Sequence, residues 1–345
     1  MTARTKPVAS LSLDLDNHWS YLKTHGDEGW RSFPSYLDIV VPRALELCEK
    51  HGLKITFFVV GQDAALSRNH AALQKIAQAG HEIGNHSYRH EPWLHAYAPD
   101  EIEAELENAE RAIIAATGAR PRGFRGPGYS FSPTLLRALE RRNYLYDAST
   151  FPTFIGPFAR AYYFLTAMLS AEQKRERQKL FGGLRDAIRP LKPYYWDLGG
   201  RRLLEIPVTT TPIFRNPFHL SYILYLAGWA SPLAHAYFRT ALELCLMTGV
   251  QPSLLLHPLD FLGCDDVRDL AFFPAMQLNS RTKIDLVDRA LRTYSTLFRV
   301  VAMMEHAEIS SASQGLRRVI PRISAGDGAY SGRPVVRHSD RREAA

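Results

Sequence analysis

The stretch VASLSLDLD, residues 8–16, sets the reading of the fold. Apolar and polar residues alternate along it, the period of two that marks a strand with one face on a core. It ends in two carboxylates, Asp14 and Asp16, which a strand projects to the same side. Two carboxylates on one face of an apolar strand repel and lose hydration unless a cation lies beside them. The pair therefore reads either as an acidic turn or as part of a cation site.

Working outward, further strand-length runs follow: ITFFVV (55–60), HEIGNH (81–86), GFRGP (123–127), LYDAST (145–150), LLEIPVTT (203–210), SLLLHPL (253–259) and FRVVAMM (298–304). Helical patterns separate them near 36–50, 64–79, 100–116, 133–142, 233–248 and 283–297. In the third, Ile102, Leu106, Ala109 and Ile113 share a face. Asp100 would cap it, and Ser132 before Pro133 starts the next. Strand–helix units with mostly apolar strands imply a parallel sheet covered by helices. Seven or eight of them imply an α/β barrel, closed or nearly so. Such barrels carry their active sites at the C-terminal strand ends. Asp14, Asp16, His86, Arg125, Asp147 and His257 all fall on or near those ends.

The composition, 46% hydrophobic and 22% charged, is that of a globular protein with a core of its own. Three scattered cysteines (Cys48, Cys245, Cys264) argue against a disulfide framework or a cysteine zinc site, and fit a reducing compartment. The opening MTARTKPVASLSLDLD has no apolar signal core, so the expected location is cytoplasmic, with peripheral attachment to the inner membrane face open. The net charge of +7 is concentrated. Residues 151–202 hold ten Lys/Arg against four Asp/Glu, and 316–345 hold seven Arg against three acids. Basic charge in an insert and a tail, rather than along a recognition element, argues against nucleic acid and leaves a solvated face or an anionic membrane surface. The expected organisation is one barrel domain over 1–315, interrupted by an insert at 151–202, with a disordered basic tail over 316–345. The apolar run FHLSYILYLAGWASPLAHAYF (218–238) is too broken by His, Gly and Pro to read as a membrane span.

Three further motifs carry chemistry. HSYRH supplies His86 and His90, whose spacing of four would bring two imidazoles together on one helical turn. One carboxylate and two histidines leave metal positions open for water and substrate, a catalytic rather than a structural arrangement. RGPGYS (125–130) sets Arg125 before a tight turn, in which glycine lets backbone approach a ligand and aim an N–H at a developing oxyanion. LLLHPLD puts His257 after an apolar run, as a satisfied core histidine or as an acid/base group across the rim.

Taken in order, the acidic strand end, HSxxH, RxP and LxxH resemble the polysaccharide deacetylases of carbohydrate esterase family 4, the NodB-like family. The resemblance spans roughly residues 8–305. It implies a deformed (β/α)7-type barrel with parallel strands and a divalent metal, foremost zinc, with cobalt, nickel, manganese or iron as alternatives. By position it implies Asp16, His86 and His90 as ligands, Asp14 as general base, Arg125 as the group orienting it and His257 as general acid. Asp147 matches a loosely defined fourth motif and would tune His257. Gly128 or Tyr129 would offer the oxyanion N–H. The family's usual form has adjacent aspartates, whereas Asp14 and Asp16 are separated by Leu15, so their two roles could exchange.

The implied reaction is metal-dependent removal of an acetyl or formyl group from an amino-sugar nitrogen. Cell-wall deacetylation would call for export, so the expected substrate is a lipid-linked glycan or glycolipid, met at a membrane surface by residues 151–238. This resembles lipid-linked amino-sugar deformylases. A cell-wall or exopolysaccharide N-deacetylase is the alternative. From other classes come a non-catalytic glycan- or lipid-binding descendant and a non-haem iron oxygenase with a facial triad. The latter usually pairs His-x-Asp on an antiparallel framework, unlike the strand–helix units here.

Overall fold

A computed structural model describes residues 5–154 and 186–321. Ten strands are found among the described residues: β1 (Val8–Asp14), β2 (Thr56–Val59), β3 (Glu82–Asn85), β4 (Gly123–Phe124), β5 (Tyr146–Asp147), β6 (Tyr194–Asp197), β7 (Arg202–Glu205), β8 (Ser253–Leu256), β9 (Arg299–Val301) and β10 (Arg318–Val319). They form one sheet in the order β10-β6-β7-β5-β4-β3-β2-β1-β8, with β9 also paired to β1. Every pairing is parallel except β6 with β7.

The ladder does not continue from β7 to β8, yet the gap is stitched. The chain leaving β7 donates the Thr209 N–H to the Ser253 carbonyl at 3.1 Å, and the Ser253 N–H returns to Thr209 Oγ1 at 2.8 Å. The expected deformed barrel of parallel strands is thus found, with a seam in place of one ladder.

All seven residues of β1 are buried, so its alternation does not separate core from water. Leu11 and Leu13 pack among the helix-facing core. Ser10 and Ser12 face a polar interior instead: Ser12 Oγ accepts from Arg125 at 2.7 Å, and Ser10 Oγ lies 2.8 Å from His306 Nδ1. β1 stops at Asp14, so Asp16 stands in the following loop rather than on the same strand face.

The α-helices among the described residues are α1 (His18–His25), α2 (Leu37–Lys50), α3 (Gly61–Ala65), α4 (His70–Gln78), α5 (Pro99–Thr117), α6 (Pro133–Arg141), α7 (Leu220–Thr248), α8 (Ser280–Leu297) and α9 (Met303–Ala312). Expected helices recur within a few residues, except that 64–79 divides into α3 and α4 and that 233–248 is only the C-terminal part of α7, which starts at Leu220. The broken apolar run 218–238 lies largely in α7, which bends where Ala230 leaves helical geometry, two residues before Pro232. No helix among the described residues is long and apolar enough to cross a membrane.

Two boundaries differ from expectation. Most of the 151–202 insert lies outside the described residues, but its end forms β6 and starts β7, a hairpin whose turn takes Gly199 and Gly200 at φ 79° and 93°. The expected disordered tail begins too early at 316, because Arg318 and Val319 pair with β6; its remainder, 322–345, lies outside the described residues.

Candidate active site

Three strand ends and the loops after them converge at one rim. His86 follows β3 directly, and the next four residues form an irregular loop, with Ser87 at φ 61° and His90 at φ 53°. This corrects the expected helical turn: backbone bends bring the two imidazoles together, with ring centroids 4.9 Å apart. The buried Glu105 carboxylate of α5 holds the bends, accepting the Tyr88 and Arg89 amides at 2.9 and 3.0 Å. Glu105 went unnoticed in sequence, although an acid on the Ile102–Leu106 face of an amphipathic helix is the signal that could have found it.

Asp16 Oδ1 lies 3.2 Å from His86 Nε2 and 2.9 Å from His90 Nε2. One atom from each of the three residues falls within 4.8 Å of the others. His86 Nδ1 lies 2.6 Å from the Arg125 carbonyl, which as acceptor fixes the proton on Nδ1 and leaves the Nε2 lone pair facing Asp16. Asp16 Oδ1 and His90 Nε2 are buried without a hydrogen-bond partner of good geometry. Such atoms are costly to leave unsatisfied. A carboxylate oxygen and two imidazole lone pairs aimed at one point fit a divalent cation with open positions.

The electrostatics agree. Burial alone would raise the Asp16 carboxyl, but His90 and His86 outweigh it and hold the group well below the usual carboxylate range. Burial would likewise lower the His86 imidazole; the charges of Asp14 and Asp16 and the bond to Asp16 reverse this and raise it. The pocket favours positive charge.

Asp14 has a different partner. Arg125, fully buried, donates from Nη1 to Asp14 Oδ1 at 2.6 Å and from Nε to the Ala148 carbonyl at 3.0 Å, with its guanidinium 4.4 Å from the Phe58 ring centre. A bonded guanidinium fixes the carboxylate and offsets part of its desolvation. The two aspartates thus occupy distinct environments, one against an arginine and one against two histidines.

In the turn after Arg125, Gly128 takes φ 59°, and a Cβ there would come within 2.8 Å of Pro92 Cβ, so glycine is required. The Tyr129 amide donates to the Gly126 carbonyl at 2.9 Å, which leaves Gly128 as this turn's candidate oxyanion donor. The Tyr129 ring lies 4.7 Å from Phe151, and Phe151 lies 5.4 Å from His219. His219, missed in sequence, is buried 5.8 Å from the His257 ring, and its pKa is driven well down by burial and by neighbouring His257 and Arg125.

His257 ends β8. Its Nδ1 lies 3.0 Å from Ser221 Oγ, and its N–H donates to Asp260 Oδ2 at 2.8 Å. The expected tuning by Asp147 is not found. Asp147 accepts from Ser149 Oγ at 2.5 Å and lies beside Glu205 across the β5–β7 pairing, where burial and Glu205's charge push its pKa well up. Ser149 Oγ in turn accepts the Gly126 amide at 2.8 Å, so Asp147 braces the turn before Gly128 rather than His257.

Residues 27–146 match the family model of polysaccharide deacetylases. That stretch contains His86, His90 and Arg125; Asp14 and Asp16 precede it and His257 follows it. The chain is 30% identical over 121 residues to a peptidoglycan deacetylase of Helicobacter pylori (strain ATCC 700392 / 26695), covering 35% of this chain and 40% of that protein. It is 31% identical over 104 residues to a peptidoglycan-N-acetylmuramic acid deacetylase of Bacillus subtilis (strain 168), covering 30% and 38%. These alignments span well under half of each curated relative. Among solved structures, one described as a polysaccharide deacetylase from Mycobacterium smegmatis superposes with a TM-score of 0.59 at 19% identity over 94% of this chain and 96% of that one. An allantoinase gives 0.56 at 16% identity, over 91% and 93%. At such identity the two structures speak to the fold alone.

Proposed function

From the premise that this chain carries a NodB-like polysaccharide deacetylase domain (carbohydrate esterase family 4), we propose that it is a metal-dependent hydrolase removing an N-acyl group from an amino sugar. The observation that carries this reading is the convergence of Asp16, His86 and His90 beside the Asp14–Arg125 pair. A divalent cation held by Asp16, His86 and His90 would polarise the acyl carbonyl and make water acidic enough to attack. Asp14, fixed by Arg125, takes the proton as water attacks. The Gly128 N–H faces the oxygen on which charge develops. His257 gives a proton to the departing sugar nitrogen, without which an amine leaves slowly.

The relatives' names favour an N-acetylated cell-wall glycan, the reading held as the alternative in sequence. A lipid-linked amino sugar is a second reading. One observation favours it: Trp229 and Leu233 of α7 are 84% and 71% exposed, apolar side chains that a membrane surface would cover.

The test is release of acetate and formate by the metal-loaded chain from peptidoglycan fragments and from lipid-linked amino sugars. Asp14→Asn is expected to lower turnover by about 100-fold or more with bound metal retained. His86→Ala is expected to lose both metal and activity. Full metal content and activity in His86→Ala would sink the site assignment.

A further inference from the structure

His257 does not act from a bare imidazole. Ser221, in the first turn of α7, donates its hydroxyl to Asp260 Oδ1 at 2.8 Å and lies 3.0 Å from His257 Nδ1. Asp260 is 1% exposed, and its other oxygen accepts the His257 amide at 2.8 Å. The Asp260 side chain is thus fastened to the backbone of the histidine that it serves through Ser221.

The hydrogen count fixes the tautomer. A hydroxyl has one proton, and Ser221 spends it on Asp260. Its oxygen can then only accept from the imidazole, so the proton of neutral His257 sits on Nδ1 and the lone pair on Nε2. A second proton on Nε2 makes the imidazolium, with its Nδ1–H already bonded.

We infer that Ser221 and Asp260 form a positioning relay for His257, holding it as the Nδ1–H tautomer so that Nε2 carries the proton delivered to the leaving nitrogen. As the carbon–nitrogen bond breaks, its electron pair stays on nitrogen and takes the Nε2 proton. His257 is left neutral, protonated on Nδ1 and still bonded to Ser221. The inference rests on the proposed hydrolase and deepens it: the relay comes from α7 and from the turn after β8, and Asp147 takes no part.

The two kinds of leaving group provide the test. An amine needs the proton, whereas a nitrophenolate leaves without one. The full chain, loaded with zinc, is assayed on N-acetylglucosamine oligomers and on 4-nitrophenyl acetate. Ser221→Ala is expected to lower kcat on the amide by about 10- to 100-fold, with KM and the aryl-ester rate within about twofold of wild type. Ser221→Thr, which keeps the hydroxyl, is expected to recover most of the amide rate. Asp260→Asn turns an N–H toward Ser221, sends the hydroxyl proton to His257 Nδ1 and imposes the wrong tautomer; its loss on the amide is expected to match or exceed that of Ser221→Ala. Equal losses on both substrates, or amide rates within twofold of wild type in both variants, overturn the relay. A wild-type chain inactive on both substrates overturns instead the hydrolase reading beneath it.

Discussion

Asp16, His86 and His90 are three side chains with distinct means of support, and the support is less visible in sequence than the side chains themselves. The HSYRH spacing brings out both histidines, but the physical reason they meet is a loop with two residues at positive φ, whose conformation depends on a carboxylate from another element. Glu105 accepts two consecutive amides of that loop while 5% exposed, and Arg89 approaches it at 3.5 Å. Residues that orient metal ligands typically change affinity by 10- to 100-fold when removed. Glu105→Ala is therefore expected to weaken zinc binding by about that factor, read by calorimetric titration, with Glu105→Gln in between because its amide oxygen still accepts. Zinc bound by Glu105→Ala as tightly as by the wild type would mean that the loop holds its own shape. Asp147 illustrates the reverse failure: its strand-end position is legible in sequence, but its carboxyl neighbour Glu205 lies far along the chain and becomes adjacent only through strand pairing.

At the scale of elements, most strands and helices are legible because burial imposes their periods. What escapes is what depends on pairing partners. The hairpin of β6 and β7 starts in an aromatic, basic stretch whose burial alternates, Tyr194 and Trp196 inside and Tyr195 and Asp197 half-buried, while its residue types do not: three successive aromatics hide the period. The barrel seam is another such feature. It rests on Thr209 and Ser253, both fully or almost fully buried, and the Thr209 hydroxyl serves as acceptor for the Ser253 N–H. Thr209→Val keeps the shape but strands that buried donor, at about 1–3 kcal/mol. The expected result is a matching loss of unfolding free energy in denaturant titration and faster amide exchange at Ser253. Unchanged stability and exchange would show that the seam does not depend on the side chain.

At the scale of the whole molecule, the order of strand–helix units made the barrel readable, while its closure at the far rim did not announce itself. α9 lies across that end, and its His306 is wholly buried, with Nδ1 2.8 Å from Ser10 Oγ on β1 and Nε2 3.4 Å from Gln251 Oε1. Neither neighbour is charged, and burial pushes the imidazole down to about 4. An unfolded chain binds that proton near pH 6.5, so between pH 6.5 and 4 the unfolded state holds a proton that the folded state refuses. Stability from this residue is full above pH 6.5 and drains away as pH falls toward 4, by about 3 kcal/mol in all. A glutamine can keep a polar contact to Ser10 without titrating. His306→Gln is therefore expected to lose about 2–3 kcal/mol less unfolding free energy than the wild type between pH 7 and 4.5, whatever its stability at neutral pH. Denaturant titrations across that range measure the difference directly, and parallel pH dependences for the two proteins would show that His306 is protonated as readily folded as unfolded.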